Sequence, residues 1–83
     1  MKYARNLEDL GKLVKFHRMK TGKTQSELAS SCGVSQELIS KIENGHGGSL
    51  HTFILLAQAL NLELRLEKIQ EIDTNDLAGM MGN

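Results

Sequence analysis

The chain has 83 residues, of which 40% are hydrophobic and 24% charged, and its ten basic side chains balance its ten acidic ones. This length holds one small domain, and the composition is that of an ordinary globular protein. No apolar run approaches the roughly 18 residues of a membrane span, and the first residues lack the apolar core of a signal peptide. With Cys32 as the single cysteine, we expect a cytoplasmic protein without an internal disulfide.

Charge is unevenly distributed along the chain. Residues 1–23 carry seven basic and two acidic side chains, whereas residues 24–48 and 49–83 are each net acidic. The basic end suits a phosphate-bearing partner, and the alternative is that both ends are ordinary solvated surface.

The first third of the chain predicts two helices. Apolar residues recur every three or four positions between Leu7 and Met19, which is the spacing of one helical face, and Gly22 follows as a stop signal. A second, short helix begins at the N-cap Thr24, where Glu27 three residues later completes a capping box. Gly33 ends it, since glycine readily adopts the left-handed backbone of a helix terminus.

A third helix is capped by Ser35 and has two distinct faces. One face is apolar and predicted to be buried, and it consists of Leu38, Ile39 and Ile42. The opposite face is polar and free to bind a partner, and it consists of Gln36, Glu37, Ser40 and Lys41.

Residues 44–49 are rich in glycine and predict a loop before a fourth helix, which Ser49 or Leu50 begins and Asn61 ends. The predicted apolar face of this helix consists of Leu50, Phe53, Ile54, Ala57 and Leu60.

In the segment 62–69, Leu62, Leu64 and Leu66 alternate with Glu63, Arg65 and Glu67, which is the period of a strand with one solvent-exposed face. A lone strand leaves its backbone groups unpaired, so we expect it to pair with the same strand of a second copy, through Leu62, Leu64, Arg65 and Leu66. Registers centred on Leu64 or Leu66 would place Arg65 opposite an acidic residue. The alternative is that the segment extends the fourth helix, since its residues are good helix formers. Residues 70–83 are predicted to be a flexible acidic tail.

Two short helices joined by a Cys-Gly-Val turn have the geometry of a helix-turn-helix. The runs Thr24-Gln25-Ser26-Glu27-Leu28-Ala29, Gly33-Val34-Ser35 and Ile39-Ser40-Lys41-Ile42-Glu43-Asn44-Gly45 resemble the Cro/CI-type, or XRE, family of repressors. The resemblance spans about residues 10–60, and the alternating segment after the last helix is similar to that of HipB-type antitoxins. It implies an all-α, lambda repressor-like fold of four to five helices, with a short C-terminal strand pairing across a homodimer.

The resemblance also assigns roles to residues. Gln25 corresponds to the family glutamine that contacts the DNA backbone and braces the recognition helix. Arg18 corresponds to an arginine that often pairs with the residue matching Glu43, and a phosphate contact is the alternative role. In the major groove, a glutamine side chain can pair bidentately with adenine, and a lysine side chain can donate to guanine. Glu37 could accept a hydrogen bond from cytosine N4 or, as the alternative, repel phosphate. The DNA-binding residues implied in this way are Thr24, Gln25, Ser26, Ser35, Gln36, Glu37, Ser40, Lys41, Asn44 and His46.

The sequence departs from the family pattern at two places. Lys23 replaces an apolar residue before Thr24, which predicts a looser corner of the core or an extra phosphate contact. Gly47-Gly48 replaces a proline that is common before the fourth helix.

The sequence thus divides into a DNA-binding domain over residues 1–61, a dimerisation strand over 62–69 and the acidic tail. We expect a repressor of a palindromic operator and, from the resemblance, an antitoxin that represses its own operon and binds a HipA-like serine/threonine kinase. The alternatives are a stand-alone phage-type repressor and an interaction adaptor that has lost DNA binding. His17, His46, His51 and Cys32 lack metal-ligand spacing, and no catalytic triad or phosphate loop is present, so we expect no enzyme, metal or cofactor.

Overall fold

Four helices form the protein in a computed structural model that describes residues 3–68. They are α1 (Leu7–Lys20), α2 (Gln25–Cys32), α3 (Gln36–Glu43) and α4 (Leu50–Ala59). Helix α1 packs against α3, α3 against α2, and α2 against α4, so α3 lies between two neighbours. The predicted all-α class is confirmed. None of these helices is long and apolar enough to cross a membrane, a finding limited to the described residues.

Each helix begins with a side-chain cap and ends with the same backbone motif. The caps are Asn6, Thr24, Ser35 and Ser49, whose side chains accept from a backbone N–H three residues on. At each C-terminus, two backbone hydrogen bonds close a Schellman motif around a residue with positive φ. That residue is Asn61 at the end of α4, with a φ of 58°. Asparagine tolerates this conformation better than most side chains, which is why α4 stops there.

The core is a single apolar cluster between the four helices. Leu28, Ile39, Ile42 and Leu56 are its most deeply buried side chains, and Val14, Ala29, Phe53 and Leu60 complete it. The predicted apolar face of α3 is confirmed, although Leu38 is only half-buried.

The predicted apolar face of α4 was partly wrong. Leu50 is 70% exposed and Ile54 is also exposed, whereas Leu56, which was not assigned to the face, is buried. Phe53 and Leu60 lie inward as expected. The buried stripe is therefore centred on Phe53, Leu56 and Leu60, and it is rotated from the one that was read from the sequence.

The chain leaves α4 at Asn61 and continues without helix through residue 68. The alternative that this segment extends α4 is therefore wrong over residues 62–68. No strand is assigned in the described part of this single chain, and pairing with a second copy remains a prediction. Leu62 packs against the core, while Leu64 and Leu66 are exposed. The tail over residues 70–83 lies outside the described residues.

Candidate nucleic-acid interface

The N-terminus of α2 is held by a reciprocal capping box. The backbone N–H of Glu27 donates to the Thr24 hydroxyl at 3.0 Å, and the backbone N–H of Thr24 donates to Glu27 Oε1 at 2.9 Å. Hydrogen bonding from Thr24 lowers the pKa of Glu27 and favours its ionised form. Thr24 and Ser26 are exposed at this helix start, so both can reach a partner.

A buried polar network joins three helices at Glu43. Arg18 on α1 donates from Nε to Glu43 Oε2 at 2.7 Å and from Nη2 to Glu43 Oε1 at 3.0 Å. Gln25 at the start of α2 donates from Nε2 to Glu43 Oε1 at 3.1 Å. The Arg18 and Glu43 side chains are only 11% and 2% exposed, and their hydrogen bonding raises the pKa of Arg18. The ion pair implied by the family resemblance is thus present, and Gln25 braces α3 through it.

The same arginine also fixes the corner at Lys23. Arg18 Nη1 donates to the Lys23 carbonyl oxygen at 2.8 Å, and the Lys23 backbone N–H donates to the Arg18 carbonyl oxygen at 3.2 Å. Arg18 therefore secures the backbone at Lys23, and the extra phosphate contact of the Lys23 side chain stays a prediction.

The polar edge of α3 faces outward, as predicted. Gln36 and Glu37 are exposed in its first turn, and Ser40 is half-buried one turn later. Together with Gln25 they line one shallow, open depression. Ser35 is exposed, but its hydroxyl accepts from the Leu38 backbone N–H at 3.1 Å. Its role within the chain is therefore that of the cap for α3.

Three predicted DNA-binding residues lie towards the other end of α3. Lys41 is exposed in the last turn, and Asn44 and His46 are exposed in the loop that follows. The His46 backbone N–H donates to the Lys41 carbonyl oxygen at 2.9 Å, which fixes the path of this loop. The eight-residue helix is about 12 Å long. The structure thus groups Gln25, Gln36, Glu37 and Ser40 and leaves these three outside the depression.

The predicted dimerisation residues occupy the segment after α4. Leu64 and Leu66 are exposed, and Leu66 is fully so. Arg65 forms ion pairs with Glu63 at 3.4 Å and Glu67 at 3.6 Å within the same chain. These exposed pairs are weak, so Arg65 remains free to exchange them for pairs with a second copy.

One residue that positions the site was missed by the sequence analysis. Gly11 lies where α1 crosses the end of α3, and a Cβ atom there would overlap the Ile42 carbonyl oxygen and touch the Glu43 backbone. Because glycine has no Cβ atom, α1 can approach α3 closely enough for Arg18 to reach Glu43. A lone glycine inside an amphipathic helical pattern is the signal that could have identified it.

Cys32 is the last residue of α2, directly before the turn to α3, and is half-buried. Its Sγ atom lies 3.8 Å from the Leu55 carbonyl oxygen, and burial raises the pKa of the thiol. A raised pKa disfavours the thiolate, which is the nucleophilic form. Among the described residues there is no group of three or more potential metal ligands.

Comparison with known proteins gives similar chains and similar folds. The chain is 41% identical over 58 residues to the antitoxin HipB of Escherichia coli O6:H1, a match that covers 69% of this chain and 62% of the relative. It is 35% identical over 71 residues to the ImmF control region 10 kDa protein of Bacillus phage phi105, covering 84% of this chain and 79% of that protein.

Two solved structures have the same fold. A HipB-O4 20mer complex and a HipA-HipB-O2-O3 complex each contain a chain with a TM-score of 0.75 and 32% identity. Both matches cover 84% of this chain and all of the matched chain. The helix-turn-helix family model matches residues 14–66, a range that includes α2, α3 and the network at Glu43. The chain therefore belongs to the helix-turn-helix family, in its XRE-type branch.

Proposed function

We propose that this chain is a non-enzymatic, sequence-specific DNA-binding repressor that acts in the cytoplasm as a homodimer. The observation that carries the proposal is the outward polar edge of α3, where Gln36 and Glu37 are exposed on a helix whose other end is fixed by Arg18 and Glu43. A braced helix with free polar side chains is suited to the major groove, where each base pair presents a distinct pattern of donors and acceptors.

Dimerisation would complete the mechanism. Pairing of residues 62–69 across a twofold axis would present two copies of α3 to successive major grooves, about 34 Å apart on a palindromic operator. Occupation of an operator that overlaps a promoter would then block transcription.

Similarity to HipB supports a second part of the proposal. The chain would be the antitoxin of a toxin-antitoxin pair, would repress its own operon and would bind a HipA-like serine/threonine kinase. One of the similar structures holds HipA and HipB together, and we interpret its O2-O3 component as operator DNA.

A gel-shift series with duplexes from upstream of the gene tests DNA binding. We expect a specific complex whose affinity falls with salt, with a logarithmic slope of about 0.9 for each phosphate neutralised. Gln36→Ala and Lys41→Ala should each weaken binding by about 1–3 kcal/mol, while the control Gln58→Ala, at an exposed position of α4, should not. Circular dichroism checks that each variant is folded. No specific complex at low salt would favour an interaction adaptor that has lost DNA binding.

The phage-type alternative rests on the similarity to the phi105 control-region protein. Co-expression with the neighbouring gene and affinity purification of the tagged chain distinguish the two. Recovery of a stoichiometric kinase-like protein supports the antitoxin. DNA binding without such a partner supports a stand-alone repressor.

A further inference from the structure

One carboxylate on the polar edge of α3 has no partner within the described residues. Glu37 is exposed in the first turn and lines the depression with Gln25, Gln36 and Ser40. Across residues 3–68 its side chain takes part in no ion pair or hydrogen bond. Its oxygens are therefore available to any donor that enters the depression.

The nearby acidic residues are engaged differently. Glu43 is buried against Arg18, and Glu27 accepts from the backbone of Thr24. Glu37 also stands on a fixed support, because Ser35 caps the helix below it and Gln25 is tied to Glu43. A duplex docked against this edge would meet a negative charge carried by a helix whose position is fixed.

The chemistry of the major groove limits what such a charge can accept from. An ionised carboxylate is an acceptor only. Guanine presents the acceptors N7 and O6, and thymine presents O4 and a methyl group, so both leave a carboxylate desolvated and repelled. Adenine presents one donor beside the acceptor N7. Cytosine alone presents the N4 amino group as its only polar group there.

We infer that Glu37 is a specificity-determining residue that requires cytosine at the operator base it faces. This inference rests on the proposed DNA-binding function and adds the operator preference to it. Away from such a base, Glu37 weakens binding by repelling phosphates and acceptor edges, so it selects against other sequences as well as for one. The low net charge of the chain strengthens this selection, because phosphate attraction is small compared with that of a strongly basic protein.

The competing explanation is structural. A carboxylate in the first turn of a helix interacts favourably with the helix dipole, and this would stabilise α3 without any contact with DNA. Loss of that interaction changes the melting temperature but leaves the preferred base at every operator position unchanged. Stability and base preference therefore need to be measured on the same variants.

The test is selection of binding sites from randomised duplexes with the full chain, Glu37→Gln, Glu37→Ala and the control Glu8→Gln, which changes an exposed carboxylate in the first turn of α1. Affinities for single-base changes are then measured. We expect the wild-type chain and the control to enrich the same palindrome, with one cytosine in each half-site whose replacement weakens wild-type binding about 5- to 150-fold. Glu37→Gln should shift that position towards adenine, since glutamine pairs bidentately with it. Glu37→Ala should reduce the preference there to within about threefold.

Two outcomes have distinct meanings. If the folded Glu37 variants enrich the same bases as the wild type at every position, Glu37 does not read the operator and the inference is overturned. If the wild-type chain itself enriches no motif, the proposed DNA-binding function fails instead.

Discussion

Three hydrogen bonds and one charge pair converge on the Glu43 carboxylate. Both of its oxygens accept from Arg18, and Oε1 also accepts from Gln25. When one member of a buried ion pair is removed, the protein loses more stability than the pair contributed, because the remaining charge is buried without an opposite charge. The network therefore fixes where α1, α2 and α3 meet, and it makes the placement of the polar edge depend on a single residue.

Glu43→Ala should lower the free energy of unfolding by about 3–5 kcal/mol, because it leaves the Arg18 guanidinium buried without its carboxylate. The double variant Arg18→Met/Glu43→Leu should cost less than the single one, since no charge then remains unpaired. Urea denaturation followed by circular dichroism measures both.

The matched control is Glu8→Ala, which removes an exposed carboxylate from its pair with Lys12 and should change stability by less than about 1 kcal/mol. If Glu43→Ala unfolds within 1 kcal/mol of the wild type by the same measurement, the network does not have the structural role assigned here.

The sequence predicted part of this network and the helix cap beside it. The Arg18–Glu43 pair follows from the family resemblance, and the capping box at Thr24 follows from spacing alone, because N-cap and N3 are always neighbours in a helix. The contact between Arg18 and the Lys23 carbonyl oxygen was not predicted. Every residue has the same backbone carbonyl oxygen, so the sequence does not indicate which carbonyl oxygen a side chain will contact.

At the scale of the elements, helix ends were predictable and buried faces were less so. Gly33 and Asn61 mark ends that the structure confirms, since few residues tolerate positive φ. Helix α4 is apolar on most sides, so at least two stripes with helical spacing fit its sequence. The choice between Ile54 and Leu56 as the inward residue depends on where α2 lies, which is a tertiary property.

Gly11→Ala should destabilise the protein by about 1–3 kcal/mol, although alanine normally favours a helix over glycine by up to about 1 kcal/mol. The reason is that the added Cβ would overlap the Ile42 carbonyl oxygen, which belongs to helical backbone and cannot rotate away. Helix α1 would have to move off α3, and the reach of Arg18 to Glu43 would lengthen. Thermal denaturation measures the change.

A useful comparison is Ser30→Ala, which places alanine at an exposed position of α2 and should leave the melting temperature the same or slightly higher. A Gly11→Ala chain that melts at or above the temperature of Ser30→Ala would contradict the close approach of α1 and α3.

At the scale of the whole molecule, large apolar side chains are exposed on two stretches of the described chain, one before and along α1 and one from α4 to the segment that follows it. Leu50 and Ile54 are exposed on α4, and Leu64 and Leu66 are exposed in the segment that follows it. The exposure of Leu64 and Leu66, together with the backbone of residues 63–68, which makes no backbone hydrogen bond within the described chain, supports the dimer that the alternating pattern predicts. A single sequence could indicate this surface, but not the register in which two copies would pair, because Leu64 and Leu66 satisfy the charge pattern equally well.

Leu66→Glu should separate the dimer into folded monomers, because a twofold interface contains the substitution twice. Loss of about 1.5–3 kcal/mol for each buried leucine raises the dimer dissociation constant by about 100-fold or more. Sedimentation velocity at micromolar concentration measures this, with Met19→Glu as the control, since Met19 is 61% exposed on α1 and outside the predicted interface. The monomeric variant should also bind a palindromic duplex more weakly than the control while keeping its helical spectrum. If Leu66→Glu sediments as the wild type does, residues 62–69 do not join the two copies.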